Sequence, residues 1–312
     1  MHMNTRAFFK STILLLFFTI LFNNCSDDVS SGSPEVKTPP TTNVPAPNGR
    51  VPRIAPTICN YDLNEASLTS AGWTKIFEDN FTTDLSKWNV WTGGAFNNEL
   101  QHYQASNIQL VNGVLVITAK KETVTGATNP WDATPKTFQY TSGRIECRSN
   151  VSANPSTPKV RMMARIKLVP GYGMWPAFWS YGDPWPTQGE IDFVEAKGQN
   201  PTQYSTNYFY GTQPNQNLVT RASKVITADS DLTQCYHVFE MIWEQNQLTS
   251  ILDGTVVEVK TSGGYIPSLF GKTERITLNL AVGGNFFGAA FDPSKIQTGS
   301  LYVDWVKVFT SN

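Results

Sequence analysis

From Cys59 to Asn312 the chain carries the two-residue rhythm of β-strands and no helical rhythm of useful length. Ile276, Leu278 and Leu280 alternate with Thr277, Asn279 and Ala281, the period of a half-buried strand. Near the C-terminus Leu301, Val303 and Trp305 alternate with Tyr302, Asp304 and Val306. Asn112-Gly113 and Asp253-Gly254 each interrupt an apolar run, and both pairs suit the left-handed backbone of a tight hairpin. No second linker and no internal repeat divides residues 59–312. Many strands with turn-rich spacing predict an all-β domain, a two-sheet sandwich of jelly-roll type. Large antiparallel sandwiches curve, so one face is expected to be concave, a cleft for an extended chain.

The composition narrows the ligands. Charged residues are 16% of the chain, aromatic residues 12%, and the net charge is -1. No basic footprint for nucleic acid exists, and the apolar fraction is too high for a disordered chain. The balance suits an exported, monomeric protein that handles neutral, hydroxyl-rich ligands. Residues 1–24 read as an export signal, with Arg6 and Lys10 ahead of the apolar run Thr12–Phe22, which is too short to span a bilayer. Cys25 just beyond it resembles a bacterial lipoprotein acylation site, and Ser26-Asp27-Asp28 resembles the export tags of surface lipoproteins. Residues 25–58 then form a tether. Its stretch Val29–Thr57 holds 7 of the 19 prolines and no aromatic residue, so it has little to bury. The expected location is the outer membrane, facing outward, with membrane contact through the lipid alone. Cys59, Cys147 and Cys235 leave one disulfide and one thiol, and spacing does not choose the pair. His102 and His237 are far apart in sequence and are expected to be structural.

The most informative stretch is Glu190-Ile-Asp192-Phe-Val-Glu195. On a strand, Glu190 and Asp192 share a face and Ile191 points to the core. Glu195, five residues after Glu190, would face away unless a β-bulge at Phe193-Val194 restores the phase. Three carboxylates on one face repel one another, so stability alone does not explain them. A solvated strand face would more often mix in Lys, Thr or Ser. Glycoside hydrolysis needs paired carboxyl groups astride the scissile bond. Glu190 is read as nucleophile, Glu195 as acid/base, and Asp192 as the group that orients Glu190. Same-face neighbours about 5–7 Å apart favour the retaining arrangement over the inverting one. Trp175, Trp179 and Trp185 precede the acids and offer flat faces for sugar rings.

Together with Asn97-Asn98-Glu99-Leu-Gln101, Thr141-Ser-Gly-Arg144-Ile, Gly173-Met-Trp175-Pro-Ala-Phe-Trp179, Asn279-Leu-Ala-Val-Gly283-Gly284-Asn285 and Tyr302-Val-Asp304-Trp, the acidic motif resembles glycoside hydrolase family 16. The similarity is greatest to its laminarinase-like branch, endo-β-1,3-glucanases. The resemblance implies a concanavalin A-like jelly roll and retaining endo-hydrolysis of laminarin-type or mixed-linkage β-1,3/1,4-glucan. It implies sugar contacts from Asn98, Arg144, Trp175 and Trp179, with no cofactor for catalysis. It also implies a structural calcium held at Glu78, Gly113 and Asp304, away from the cleft. Two departures stand out. Phe209 occupies a position where relatives commonly carry His, and the insert 150–159 is long enough to reshape a groove edge. Other readings are a glycan-binding lipoprotein without turnover, a galactanase acting on agarose or carrageenan, and a transglycosylase.

Overall fold

The computed structural model describes residues 51–52, 54–261 and 264–312. The expected signal, Cys25 and all of the tether up to residue 50 lie outside the described residues. Two antiparallel sheets form the sandwich. The first has seven strands, in the order Lys224–Thr227, Gln203–Phe209, Glu190–Ala196, Met174–Tyr181, Glu274–Val282, Arg144–Val151 and Trp88–Val90. The second runs Thr255–Thr261, Gln247–Leu252, His237–Glu244, Lys159–Lys167, Ser300–Ser311, Val114–Thr118 and Ile108–Val111, and Thr74–Asp79 also pairs with Ser300–Ser311. Their inward residues meet in one core: Phe178, Ile191 and Leu278 from the first sheet, Met162, Phe239 and Trp243 from the second. Each such side chain contributes roughly 1.5–3 kcal/mol through burial.

The expected hairpins are present. Ile108–Val111 and Val114–Thr118 turn at Asn112 (φ 52) and Gly113 (φ 77), and Gln247–Leu252 and Thr255–Thr261 turn at Asp253 (φ 48) and Gly254 (φ 76). Asp253 does more than turn the chain. Its buried carboxylate accepts from the backbone N–H groups of Ile58 and Val238 and shares a hydrogen bond with His237 Nδ1.

Three expectations need correction. The Glu274–Val282 strand is buried on both faces, not one, because Thr277, Asn279 and Ala281 lie under the cleft instead of facing open solvent. In the last strand Trp305 does not follow Leu301 and Val303 inward. Pairing with Lys159–Lys167 shifts register between Val303 and Trp305, so Trp305 joins Leu68, Met163, Val238 and Phe309 in a second cluster. Leu68 reaches that cluster from the helix Glu65–Ser70, whose first turn is capped by Asn64 Oδ1. Lastly, no residue of the insert 150–159 lines the cavity described below. The insert joins the two sheets, with Ala153 buried and accepting from Gly271 N.

Among the described residues, docking onto the domain begins four residues ahead of Cys59, at Ala55. Its backbone bonds to Thr227 and Asp229, and its side chain is 2% exposed. Cys59 is bonded to Cys235, and Cys147 remains a buried thiol.

Candidate active site

The outward face of the seven-stranded sheet floors a cavity of about 350 Å³. Across the Glu190–Ala196 strand, Tyr181 pairs with Glu190, Trp179 with Asp192 and Ala177 with Glu195. Between Asp192 and Glu195 this strand advances three residues while Gln203–Phe209 advances two, Asn207 to Ser205. That is a bulge. Phe193 and Val194 both enter the core, at 2% and 1% exposure, and Glu195 returns to the face that carries Glu190 and Asp192. All three acids line the cavity.

Indole N–H groups hold the outer two acids. Trp185 Nε1 donates to Glu190 Oε2 at 2.6 Å, and Trp175 Nε1 donates to Glu195 Oε1 at 3.2 Å. Burial is the main force raising the pKa of each acid, and a neighbouring carboxylate raises it further: Glu195 for Glu190, Glu190 for Asp192, Asp192 for Glu195. The proximity of Glu190 favours the protonated form of Asp192. Crowded acids of this kind share protons, so at least one stays neutral near pH 7. The short Trp185 bond and the positive charge of Arg144 oppose the rise at Glu190, which makes it the better place for the negative charge.

The other expected residues fall as follows. Arg144, Trp175, Trp179 and Trp185 line the cavity, and Asn98 does not. Its amide donates to Asn285 Oδ1 at 2.9 Å and ties two loops together, while its neighbours Asn97 and Glu99 face the cavity. The Arg144 guanidinium donates twice to Glu146 Oε1, at 3.0 and 2.7 Å, and lies 4.0 Å from the Trp91 ring centre. Trp175 is covered on one side by Phe286, with ring centres 4.6 Å apart. Trp179 donates to Asn279 Oδ1 at 2.7 Å. Phe209 pairs opposite Glu190 and packs beside Trp185 at 6.0 Å, so an aromatic contact stands where a polar one is common in the resembling family.

The sequence alone assigns no role to Trp91, Glu146 or Trp131, and none to Glu99 or Tyr103 beyond their place in the motif Asn97–Tyr103. Glu99 Oε2 accepts from Gln101 Nε2 and Tyr103 OH, and Asn279 Nδ2 donates to Tyr103 OH. Glu146 could have been found, because Arg144 and Glu146 are two residues apart and so share a strand face.

The expected calcium donors are arranged otherwise. The Glu78 backbone oxygen accepts from Lys87 Nζ at 2.6 Å, and Asp304 is paired with Arg165 Nη1 at 2.6 Å. Lys87 and Arg165 thus stand at two of the three expected positions. Among the described residues no cluster of three or more His, Cys, Asp or Glu could hold a metal ion.

Comparison with known proteins agrees with this geometry. Residues 96–307 match the family described as glycosyl hydrolases family 16. A glucan endo-1,3-beta-glucosidase of Cryptopygus antarcticus is 33% identical over 77% of this chain and 93% of its own length. Glucan endo-1,3-beta-glucosidase A1 of Niallia circulans is 30% identical over 77% of this chain, which spans 38% of that longer protein. The solved endo-beta-1,3-glucanase of Pyrococcus furiosus superposes with a TM-score of 0.64 at 30% identity, covering 77% of this chain and 95% of the other.

Proposed function

The chain belongs to family 16 of the glycosyl hydrolases, and from that premise we propose that it cleaves β-1,3-linked or mixed-linkage β-1,3/1,4-glucan internally, with retention of anomeric configuration. The observation that carries the reading is the bulge that gathers Glu190, Asp192 and Glu195 on the floor of an aromatic cleft. Relatives named endo-1,3-beta-glucosidase support the choice of glucan.

The steps follow from the positions of the acids. Ionised Glu190, steadied by Trp185, attacks the anomeric carbon and forms a glycosyl ester as the glycosidic C–O bond breaks. Protonated Glu195 gives its proton to the departing oxygen. Glu195, now a carboxylate, takes a proton from water. The water oxygen bonds to the anomeric carbon, and Glu190 leaves as a carboxylate. Asp192 keeps the proton that the crowded pair retains, and in that form it can donate to Glu190 and orient it.

The test is a panel of laminarin, barley β-glucan, lichenan, agarose and carrageenan, with product sizing. Short oligomers from laminarin or a mixed-linkage glucan are expected. Release from agarose or carrageenan alone would redirect the substrate, and release from none would remove the enzymatic reading. Replacing the acids by Ala separates their roles. Azide should rescue Glu190→Ala as an inverted glycosyl azide and Glu195→Ala as a retained one.

Export and acylation at Cys25 belong to the same proposal. They are supported by the Arg6, Lys10, Thr12–Phe22 and Cys25 pattern. Intact-mass measurement of the membrane-extracted protein tests them, and a mature chain without lipid at Cys25 would contradict them.

A further inference from the structure

Trp131 is the most exposed large apolar side chain among the described residues, at 73%. A single exposed apolar residue is ordinary, but this one is held in place. It sits at the turn of a separate two-stranded hairpin, Val124–Asn129 and Asp132–Phe138. Asn129 Oδ1 accepts from Trp131 N at 2.9 Å and from Asp132 N at 3.0 Å, and Thr128 Oγ1 donates to Thr134 O at 2.8 Å.

The hairpin is in turn fastened to the cleft wall. Gly94 N donates to Ala127 O at 3.0 Å, and a Cβ at Gly94 would lie 2.2 Å from Thr128 O. His102 packs just as closely over Gly126, where a Cβ would lie 2.2 Å from its Nε2. The indole thus stands beside Phe96, with ring centres 5.0 Å apart and planes tilted by 33°. Both rings line the same cavity as the three acids.

Neither ring comes from the acid-bearing strand or from a strand paired with it. Phe96 follows Trp88–Val90, the edge strand of the sheet. Beyond Phe96 the segment turns back over the sheet, where Asn97 O accepts from Asn285 N and Leu100 N donates to Val282 O. A flat indole presented to water, backed by Phe96 and lining the same cavity as the acids, suits the apolar face of a pyranose ring.

We propose that Trp131, flanked by Phe96, is a stacking platform for sugar units of the glucan chain lying several residues away from the bond that is cut. This rests on the glucanase reading for its ligand, and it adds a determinant of chain length. A short oligomer that occupies the acids cannot reach the platform, and a long one can.

The experiment compares wild type, Trp131→Ala and Trp131→Phe on laminari-oligosaccharides of increasing length and on laminarin. In parallel, calorimetry measures laminarihexaose binding to Glu190→Gln and to Glu190→Gln/Trp131→Ala. The expected result is that the rise of kcat/KM with chain length is blunted in Trp131→Ala, roughly fivefold to tenfold on the longest chains. The change should lie mainly in KM, Trp131→Phe should recover most of it, and the hexaose affinity should fall by a similar factor. Active wild type with Trp131→Ala indistinguishable at every length overturns the platform and leaves the glucanase reading intact. Inert wild type with hexaose binding weakened by Trp131→Ala removes the glucanase reading and supports the platform.

Discussion

At the scale of single residues, the charge on Glu190 depends on an indole N–H. Trp185→Phe keeps the ring and deletes the 2.6 Å bond. That bond favours ionised Glu190, so its loss moves the pKa further up. The acidic limb of kcat/KM, which reports the free enzyme, is expected to shift to higher pH by about one unit or more; an unmoved limb would show that Glu190 does not set it. Glu274 is a second buried carboxyl, on the core side of the sheet. Burial pushes it up to about 8, and its one hydrogen bond comes from Ser180. Its folded pKa lies above its unfolded value. The stability it contributes is therefore complete below about pH 4.5 and declines as pH rises through about 8. Glu274→Gln should match wild type near pH 4.5 and exceed it at pH 9 by a few kcal/mol, read from urea unfolding at both values; equal stability at pH 9 would contradict the assignment. Glu190 and Asp192 could be read from alternation, because the side-chain period of a strand is two, and Glu195 only by allowing for a bulge. The partners Trp175 and Trp185 could not be matched to particular acids, since those pairings depend on how neighbouring segments fold back.

At the scale of elements, the bulge is the feature that the residue pattern announced. Two consecutive apolar residues between Asp192 and Glu195 in an otherwise alternating strand leave one residue too many, and burying both Phe193 and Val194 is how the sheet absorbs it. The shift at Asp304 had no such sign, because it lies in the pairing with a strand far away in sequence. Trp131 was equally silent. Its hairpin is seated by Gly94 and His102, and close approach of that kind leaves no periodic trace. The pairing of Cys59 with Cys235 was left open by spacing and is settled by the fold, which brings the first packed segment against the start of His237–Glu244. The Cys59→Ser/Cys235→Ser double variant should lose roughly 2–5 kcal/mol of stability while its kcat at 25 °C stays near wild type. The bond lies at the start of the second sheet, and the acids lie on the first. A large loss of kcat in folded protein would show coupling between the two.

At the scale of the whole molecule, two sheets divide the labour. One carries the acids and aromatic rings, and the other completes the core and holds the N-terminal segment through Arg165, which donates to Asn60 O and Tyr61 O. The all-β class was legible because strand rhythm and turn pairs recur throughout residues 59–312, whereas the pairing order depends on contacts between residues far apart in sequence. Lys87 and Arg165 occupy oxygens at which calcium was expected, so EDTA should leave Tm unchanged. A fall in Tm that added calcium reverses would contradict that arrangement. Retention requires that the bulge set Glu190 and Glu195 close enough for a glycosyl-enzyme ester. Its most direct measurement is proton NMR of the nascent reducing end during laminarin cleavage. The β-anomer appearing first, with the α-anomer growing in later by mutarotation, is the predicted result. The α-anomer appearing first would mean inversion and would contradict it.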